Sequence, residues 1–287
     1  MELIRTNESI FSFDPPPFPM LQCLAAFKEH TYLVMSGHSK WSTIKHQKGV
    51  ADARRGQLFT KLAREITVAA RQGGADADMN VRLRLAVQRA RDNNMPQENT
   101  DRAIKRGAGG EDDTTAFEEV IYEGYGPGGI AIMLQALTDN RNRTVSEVRS
   151  TFSRSGGNLG ESGCVAWNFE SKGIIVLEVS LEQSEEMALT AIEAGAEDFD
   201  LDSTALEVRV GPEGFEQVRR VLEESGGTVV NAELAQTPKS TVTLGTREAL
   251  QTLRLLDKLE DLDDVQRVYT NADFPEEALQ EYRSVSS

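Results

Sequence analysis

Between residues 51 and 72 the apolar side chains Leu58, Phe59, Leu62, Ile66 and Ala69 return every three or four positions, and Gly73-Gly74 stops the run. That is the period of a helix with one buried face. A second run over 80–94 places Leu83, Ala86, Val87 and Ala90 on one stripe, with Arg82 and Arg89 on one flank and Arg84 and Arg91 on the other. Pro96 suits the first turn of a short third helix ending in Lys105-Arg106 before Gly107, where the helix dipole favours cations. The spacing predicts a three-helix module. On an ideal helix at about 100° per residue, Arg54, Lys61, Arg64 and Arg71 fall within an arc of roughly 100° beside the apolar stripe, so a cationic face is expected next to the core face.

Past 108–113, whose Gly and acidic content is that of a linker, the pattern changes. Residues 119–125 and 129–137 read as strands across a Gly/Pro turn, 145–154 as a helix closed by Gly156-Gly157, and 158–169 as an extended return. From Gly173 the order is strand (174–179), helix (185–194), hairpin (199–202 and 206–210), helix (214–225) and strand (228–235). This is the split βαβ of ferredoxin-like domains. A strand at 241–244, a helix at 247–259 and a strand at 265–270 then resemble the missing half of the sheet begun at residue 119. The expected fold is α+β: a basic three-helix domain (35–112), a discontinuous α/β domain (114–169 plus 239–287), and a ferredoxin-like βαββαβ domain (170–238) inserted in it. Residues 1–34, interrupted by Asp14-Pro15-Pro16-Pro17-Phe18-Pro19, read as a disordered extension, with Met35 as the working initiator.

With 287 residues, 39% hydrophobic and 27% charged, the chain has the composition of a globular protein of two or three domains. No run approaches the roughly 18 apolar residues that span a bilayer, so no membrane partner is expected. Cys23 and Cys164, far apart, give neither a disulfide framework nor a zinc spacing, and a cytoplasmic location is expected. Charge changes the picture more. The net charge of −15 averages two opposed regions: residues 36–110 hold 15 Lys/Arg against 7 Asp/Glu, and residues 111–287 hold 14 against 35. A basic module that meets a polyanion, carried on an acidic body, follows from that split.

Catalytic patterns are poorly represented. Gly124-Tyr125-Gly126-Pro127-Gly128-Gly129 satisfies G-x-G-x-x-G but joins strand to strand, leaving no helix N-terminus for a pyrophosphate, and is expected to be a hairpin turn. Ser162 lacks the final glycine of a nucleophile elbow. Asp198, Asp200 and Asp202 alternate along a strand and are expected to form a solvated edge, and 260–264 (Glu-Asp-Leu-Asp-Asp) a solvated loop. His30, His38 and His46 have no ligand spacing. The expectation is a protein that is not an enzyme, with no cofactor, metal or small-molecule substrate.

The segment 37–48 combines Trp41 with Lys40, Lys45, His46 and Lys48, suited to phosphate contact and to stacking, although Trp41 also suits the core of a small helical domain. This segment, with 58–66 (Leu-Phe-Thr-Lys-Leu-Ala-Arg-Glu-Ile), 93–96 (Asn-Asn-Met-Pro), 102–107 (Arg-Ala-Ile-Lys-Arg-Gly), 122–129, 139–144, 156–160 and 257–265, closely resembles the YebC/PmpR family. The likeness runs from Met35 to Leu279 and leaves out the first 34 residues. It implies a helical N-terminal domain and two α/β domains, one inserted in the other. Members are described as cytoplasmic DNA-binding transcriptional regulators; a mitochondrial relative is a translational activator of cytochrome oxidase, and others are ribosome-associated factors that assist translation through proline-rich stretches.

The candidate nucleic-acid contacts are Lys40, Trp41, Lys45, His46, Lys48, Arg54, Arg55, Lys61, Arg64, Arg82, Arg84, Arg89, Arg91, Lys105 and Arg106. A second candidate is Asn140, Arg141 and Arg143, a polar loop that reads equally as a helix N-terminus capped by Asn142. The expected partner is nucleic acid, as DNA in a transcriptional regulator or as rRNA in a factor bound to the ribosome.

Overall fold

The computed structural model describes residues 52–109, 117–201 and 205–285, all within one compact unit, Met35–Ser287. The helical part comprises α1 (Asp52–Gly73), α2 (Val81–Asp92) and α3 (Gln97–Gly107). Its core is the stripe read from the sequence: Leu62, Ile66 and Ala69 meet Leu83, Ala86, Val87, Ala90 and Ala103. Asn80 fixes the α1–α2 corner. Its side-chain oxygen accepts from the Leu83 amide, and its side-chain NH2 donates to the carbonyls of Ala69 and Gly74, satisfying groups that a helix end leaves open. Pro96 sits at the cap of α3, one position before its first turn. At Gly107 a Cβ would lie 2.4 Å from the Thr67 carbonyl oxygen, so α3 can approach α1 this closely only with glycine there.

The first α/β layer opens with β1 (Glu118–Tyr125), β2 (Ala131–Thr138), α4 (Arg141–Arg154) and β3 (Asn158–Leu159). The Gly-rich segment between β1 and β2 is the expected turn, with Gly128 and Gly129 at φ 74° and 76°. The chain then enters a second sheet through β4 (Phe169–Glu178), α5 (Leu181–Glu193), β5 (Asp198–Leu201), β6 (Ala205–Val210), α6 (Phe215–Glu224) and β7 (Thr228–Pro238). It returns with β8 (Val242–Thr243), α7 (Thr246–Glu260), β9 (Val265–Thr270), β10 (Ala272–Asp273) and α8 (Glu276–Val285). The first sheet has the order β3-β1-β2-β9 and the second β5-β6-β4-β7, so the ferredoxin-like unit interrupts a sheet that β9 completes.

β2 is apolar almost throughout because both its faces are covered. Ile132, Leu134 and Ala136 face α4 and α7 through Val148, Phe152, Leu253 and Leu256. Ala131 and Met133 face Val165 of the connecting loop and Phe169, Ile174 and Ala235 of the second layer. Among the described residues no helix is long and apolar enough to cross a membrane.

The structure corrects several local readings. The stretch 158–169 is not an extended return: two residues pair with β1, and a tight loop and a 3-10 turn follow before β4 begins at Phe169. The cap of α4 is Asn140, whose side chain accepts from the Arg143 amide, so the helix starts four residues earlier than its apolar pattern indicates. β8 pairs in parallel with β10 instead of joining the first sheet. Asp200 is not on a solvated edge. It is buried with Glu207, and both carboxylates bind Arg209, at 2.6 Å and 3.0 Å; Asp202 lies outside the described residues, as do residues 1–34.

Candidate nucleic-acid interface

The period that buries Leu62, Ile66 and Ala69 sets Lys61, Glu65 and Arg64 on the neighbouring face of α1, and this face meets the acidic body. The Lys61 ammonium donates to the Glu260 carbonyl. Arg64 Nη1 donates to the Asp263 carbonyl at 2.6 Å and to Asp264 Oδ1 at 3.0 Å, with its guanidinium 5.5 Å from the centroid of the Phe117 ring. The 260–264 segment is therefore a docking loop for the basic helix and not a solvated one.

Asp264 is itself buried. Its second oxygen accepts from Thr138 at 3.1 Å, Thr144 at 2.7 Å and Arg143 at 2.7 Å. Burial works to raise this carboxyl, but the bonds from Arg143 and Thr144 outweigh it and hold its pKa below the ordinary aspartate value. Arg143 also binds Asp139 at 2.7 Å, and its own pKa is raised by these partners. The second candidate loop is thus a capped helix start: Asn140 holds the cap, Arg143 braces the docking loop, and the exposed Arg141 lies 3.8 Å from Glu118.

Beside it a second hub joins the helices to both sheets. Glu65 accepts from Arg89 Nη1 on α2 at 3.1 Å and from Arg267 Nη2 on β9 at 3.1 Å. Arg267 also donates to the Leu234 carbonyl on β7 at 2.9 Å. Burial raises the Glu65 carboxyl, the two guanidiniums lower it more, and it ends below the ordinary glutamate value. Arg82 bridges Gln72 at 2.6 Å and Glu119 at 3.0 Å. Glu65, Arg82, Arg89, Glu119, Leu234 and Arg267 line a cleft of about 470 Å3 between the helices and the two sheets.

The candidate cations therefore divide. Lys61, Arg64 and Arg82 hold the helical part on the body, Arg89 joins α2 to Glu65 of α1, and Arg84 folds back on the carbonyls of Ala77 and Asp78 at 3.2 Å each. Arg55, Arg71, Arg91, Lys105 and Arg106 are exposed. The end of α3, with Lys105 and Arg106, lies against residues 67–70 of α1, next to Arg71. Lys40, Trp41, Lys45, His46 and Lys48 lie outside the described residues, as does the side chain of Arg54. Sequence reasoning passed over Glu65, Asp264 and Arg267. The available signals were an acid in the middle of a cationic helix face and an arginine in the centre of the apolar strand Val265–Thr270.

Three helices seated on two α/β layers, one set into the other, define a three-part α+β architecture. The chain belongs to the TACO1/YebC family: residues 39–110 match the TACO1/YebC protein N-terminal domain and residues 117–272 the TACO1/YebC second and third domain. A probable transcriptional regulatory protein of Dehalococcoides mccartyi is 54% identical over 250 residues, covering 87% of this chain and 99% of that protein. Another, from Moorella thermoacetica, is 55% identical over 244 residues, covering 84% of this chain and 96% of that protein. The crystal structure of a conserved hypothetical protein from Aquifex aeolicus matches with a TM-score of 0.72 at 46% identity, over 80% of this chain and 98% of that one.

Proposed function

We propose that the protein is a non-enzymatic, nucleic-acid-binding regulator of gene expression that contacts phosphates through the exposed cations of its helical part. One observation carries this reading. Arg71, Arg91, Lys105 and Arg106 are exposed at the ends of α1–α3, and Lys61, Arg64 and Arg82 of the same helices meet carboxylates and carbonyls of the body. The names of the relatives as probable transcriptional regulatory proteins agree with it.

The position of these cations bears on what is bound. All four lie in the last turn of a helix or the turn that closes it, whereas a major-groove recognition helix reads bases with its N-terminal residues. Contact with phosphates, without reading of duplex sequence, suits this placement. That favours a second reading, in which the target is structured RNA, as on a ribosome, and the acidic body projects away from it.

Fluorescence anisotropy with duplex DNA and with a structured RNA of equal length, across a salt series, tests the proposal. Binding to either is expected to weaken with salt, on duplex DNA by roughly 0.9 log units per phosphate contact for each tenfold rise in salt. The triple reversal Arg91→Glu, Lys105→Glu and Arg106→Glu is expected to flatten that slope while leaving the fold intact. An unchanged slope and affinity would refute the proposal. Sedimentation of cell extract on a sucrose gradient separates the readings, since co-migration with ribosomal particles selects the RNA target.

A further inference from the structure

Trp167 is 68% exposed and Tyr125 39% exposed, and both rings are tied to one atom. The Tyr125 hydroxyl donates to the Cys164 carbonyl at 2.8 Å, and the Trp167 indole N–H donates to the same carbonyl at 2.9 Å. The backbone beneath them is clamped from both sides. On one side the carboxylate of Glu123, only 4% exposed, accepts the amides of Gly163 at 2.6 Å, Val165 at 2.8 Å and Ala166 at 2.8 Å. On the other, Asn168 is buried and its side chain bonds the amide, hydroxyl and carbonyl of Ser240 at 3.0, 2.8 and 3.0 Å. Two glycines allow the loop to lie this close to β1. A Cβ at Gly157 would meet the Tyr125 carbonyl at 2.7 Å, and one at Gly160 would meet the Cys164 sulfur at 2.5 Å.

A buried carboxylate saturated by three amides is a demanding arrangement, and here it fixes a loop whose outermost feature is an indole facing water. We infer that Trp167 and Tyr125 form a stacking platform for an unpaired nucleobase of single-stranded nucleic acid, a contact separate from the helical cations; this rests on the reading above. Two observations select a base over a peptide. With the indole N–H and the phenol O–H both spent on Cys164, the rings have no donor left for peptide carbonyls and offer only π faces, which every base matches. Lys239, whose backbone N–H donates to the Asn168 carbonyl at 2.7 Å, is exposed and supplies a cation beside the platform for the adjoining phosphate. Tyr125 ends β1, six residues from Glu119, where Arg82 of the helical part binds. At the rise of an extended strand the platform therefore lies about 20 Å along β1 from that contact.

The full-length Trp41→Phe variant leaves Trp167 as the sole indole, since the chain has two tryptophans. Titration with a 12-residue oligouridine at fixed salt is expected to quench its emission saturably. Trp167→Ala, a change at an exposed site, is expected to weaken binding of the oligomer by roughly five- to 150-fold without altering the salt slope. Trp167→Phe, which keeps a ring, should fall between. If the oligomer binds but emission and affinity are indifferent to Trp167, the platform is wrong and the phosphate reading stands. If the wild-type protein binds no nucleic acid at any salt, both are wrong. Saturable quenching by a proline-rich peptide with none by the oligomer would assign the platform to polypeptide and overturn the inference.

Discussion

Removal of the Glu65 carboxylate takes from Arg267, with a side chain 20% exposed, its near carboxylate at 3.1 Å and leaves a Glu233 carboxylate 3.8 Å away beside the neutral Leu234 carbonyl and Tyr269 hydroxyl. Stranding a largely buried guanidinium in this way costs about 3 kcal/mol, so Glu65→Ala is expected to lower the urea midpoint clearly, whereas Trp167→Ala leaves it nearly unchanged. Proton linkage gives a second test. Glu65 and Asp264 both titrate lower in the folded protein than in the unfolded chain, so their contribution is complete above the unfolded values. It is lost as pH falls through the native ones. Stability is expected to decline from about pH 5 toward pH 3, and the Glu65→Gln, Asp264→Asn double variant should show a shallower decline. At this scale the sequence is least readable. A heptad of helix shows that Arg64 lies beside the core stripe, but whether solvent or a carboxylate faces it depends on residues 200 positions away.

Helices and strands were legible because their signals are local. Periodicity places α1 and α2, Gly73-Gly74 ends the first, and alternation with turn residues finds the β5–β6 hairpin and the ferredoxin-like order. The misreadings have local causes too. The Asn140 cap precedes the first apolar residue of α4 and leaves no periodic trace, and the 160–168 loop is extended only in composition, since its amides go to a carboxylate on another strand. α8 was not anticipated, although Ala278, Leu279 and Tyr282 carry a helical spacing into the first core. Packing between elements is tight enough to test. At Gly173 on β4 a Cβ would lie 2.3 Å from Phe215 and 2.9 Å from Val210. Gly173→Ala is therefore expected to destabilise the ferredoxin-like unit by about 2 kcal/mol, read as a lower thermal midpoint, and truncation to Phe215→Ala combined with it should recover less than the cavity removes.

Across the molecule, the segregation of charge by sequence was legible and its use was only half so. Counting residues shows a basic segment and an acidic one. It does not show that part of the basic segment is consumed in holding the acidic one, while other cations stand exposed at the helix ends. High salt is therefore expected to act in opposite senses at two places. It weakens association with nucleic acid strongly and the partly buried Glu65 and Asp264 contacts little, because ions screen exposed charges far more than enclosed ones. Hydrogen exchange in low and high salt checks this, with amides near residues 61–65 expected to keep their protection.

The reach of the Glu65–Arg267 bridge, 202 residues along the chain, bears on the order in which the protein is made. The three helices contain their own apolar core and close over short loops, so they can form early during synthesis. Their seat is unfinished until residue 267 has been added and has left the exit tunnel. Until then the nascent chain carries a folded basic head whose Lys61, Arg64 and Arg82 are not yet seated on the carboxylates and carbonyls of the body, beside the rRNA surface. A chain stopped at residue 240 should keep that head open and adhere to polyanions more strongly than the finished protein.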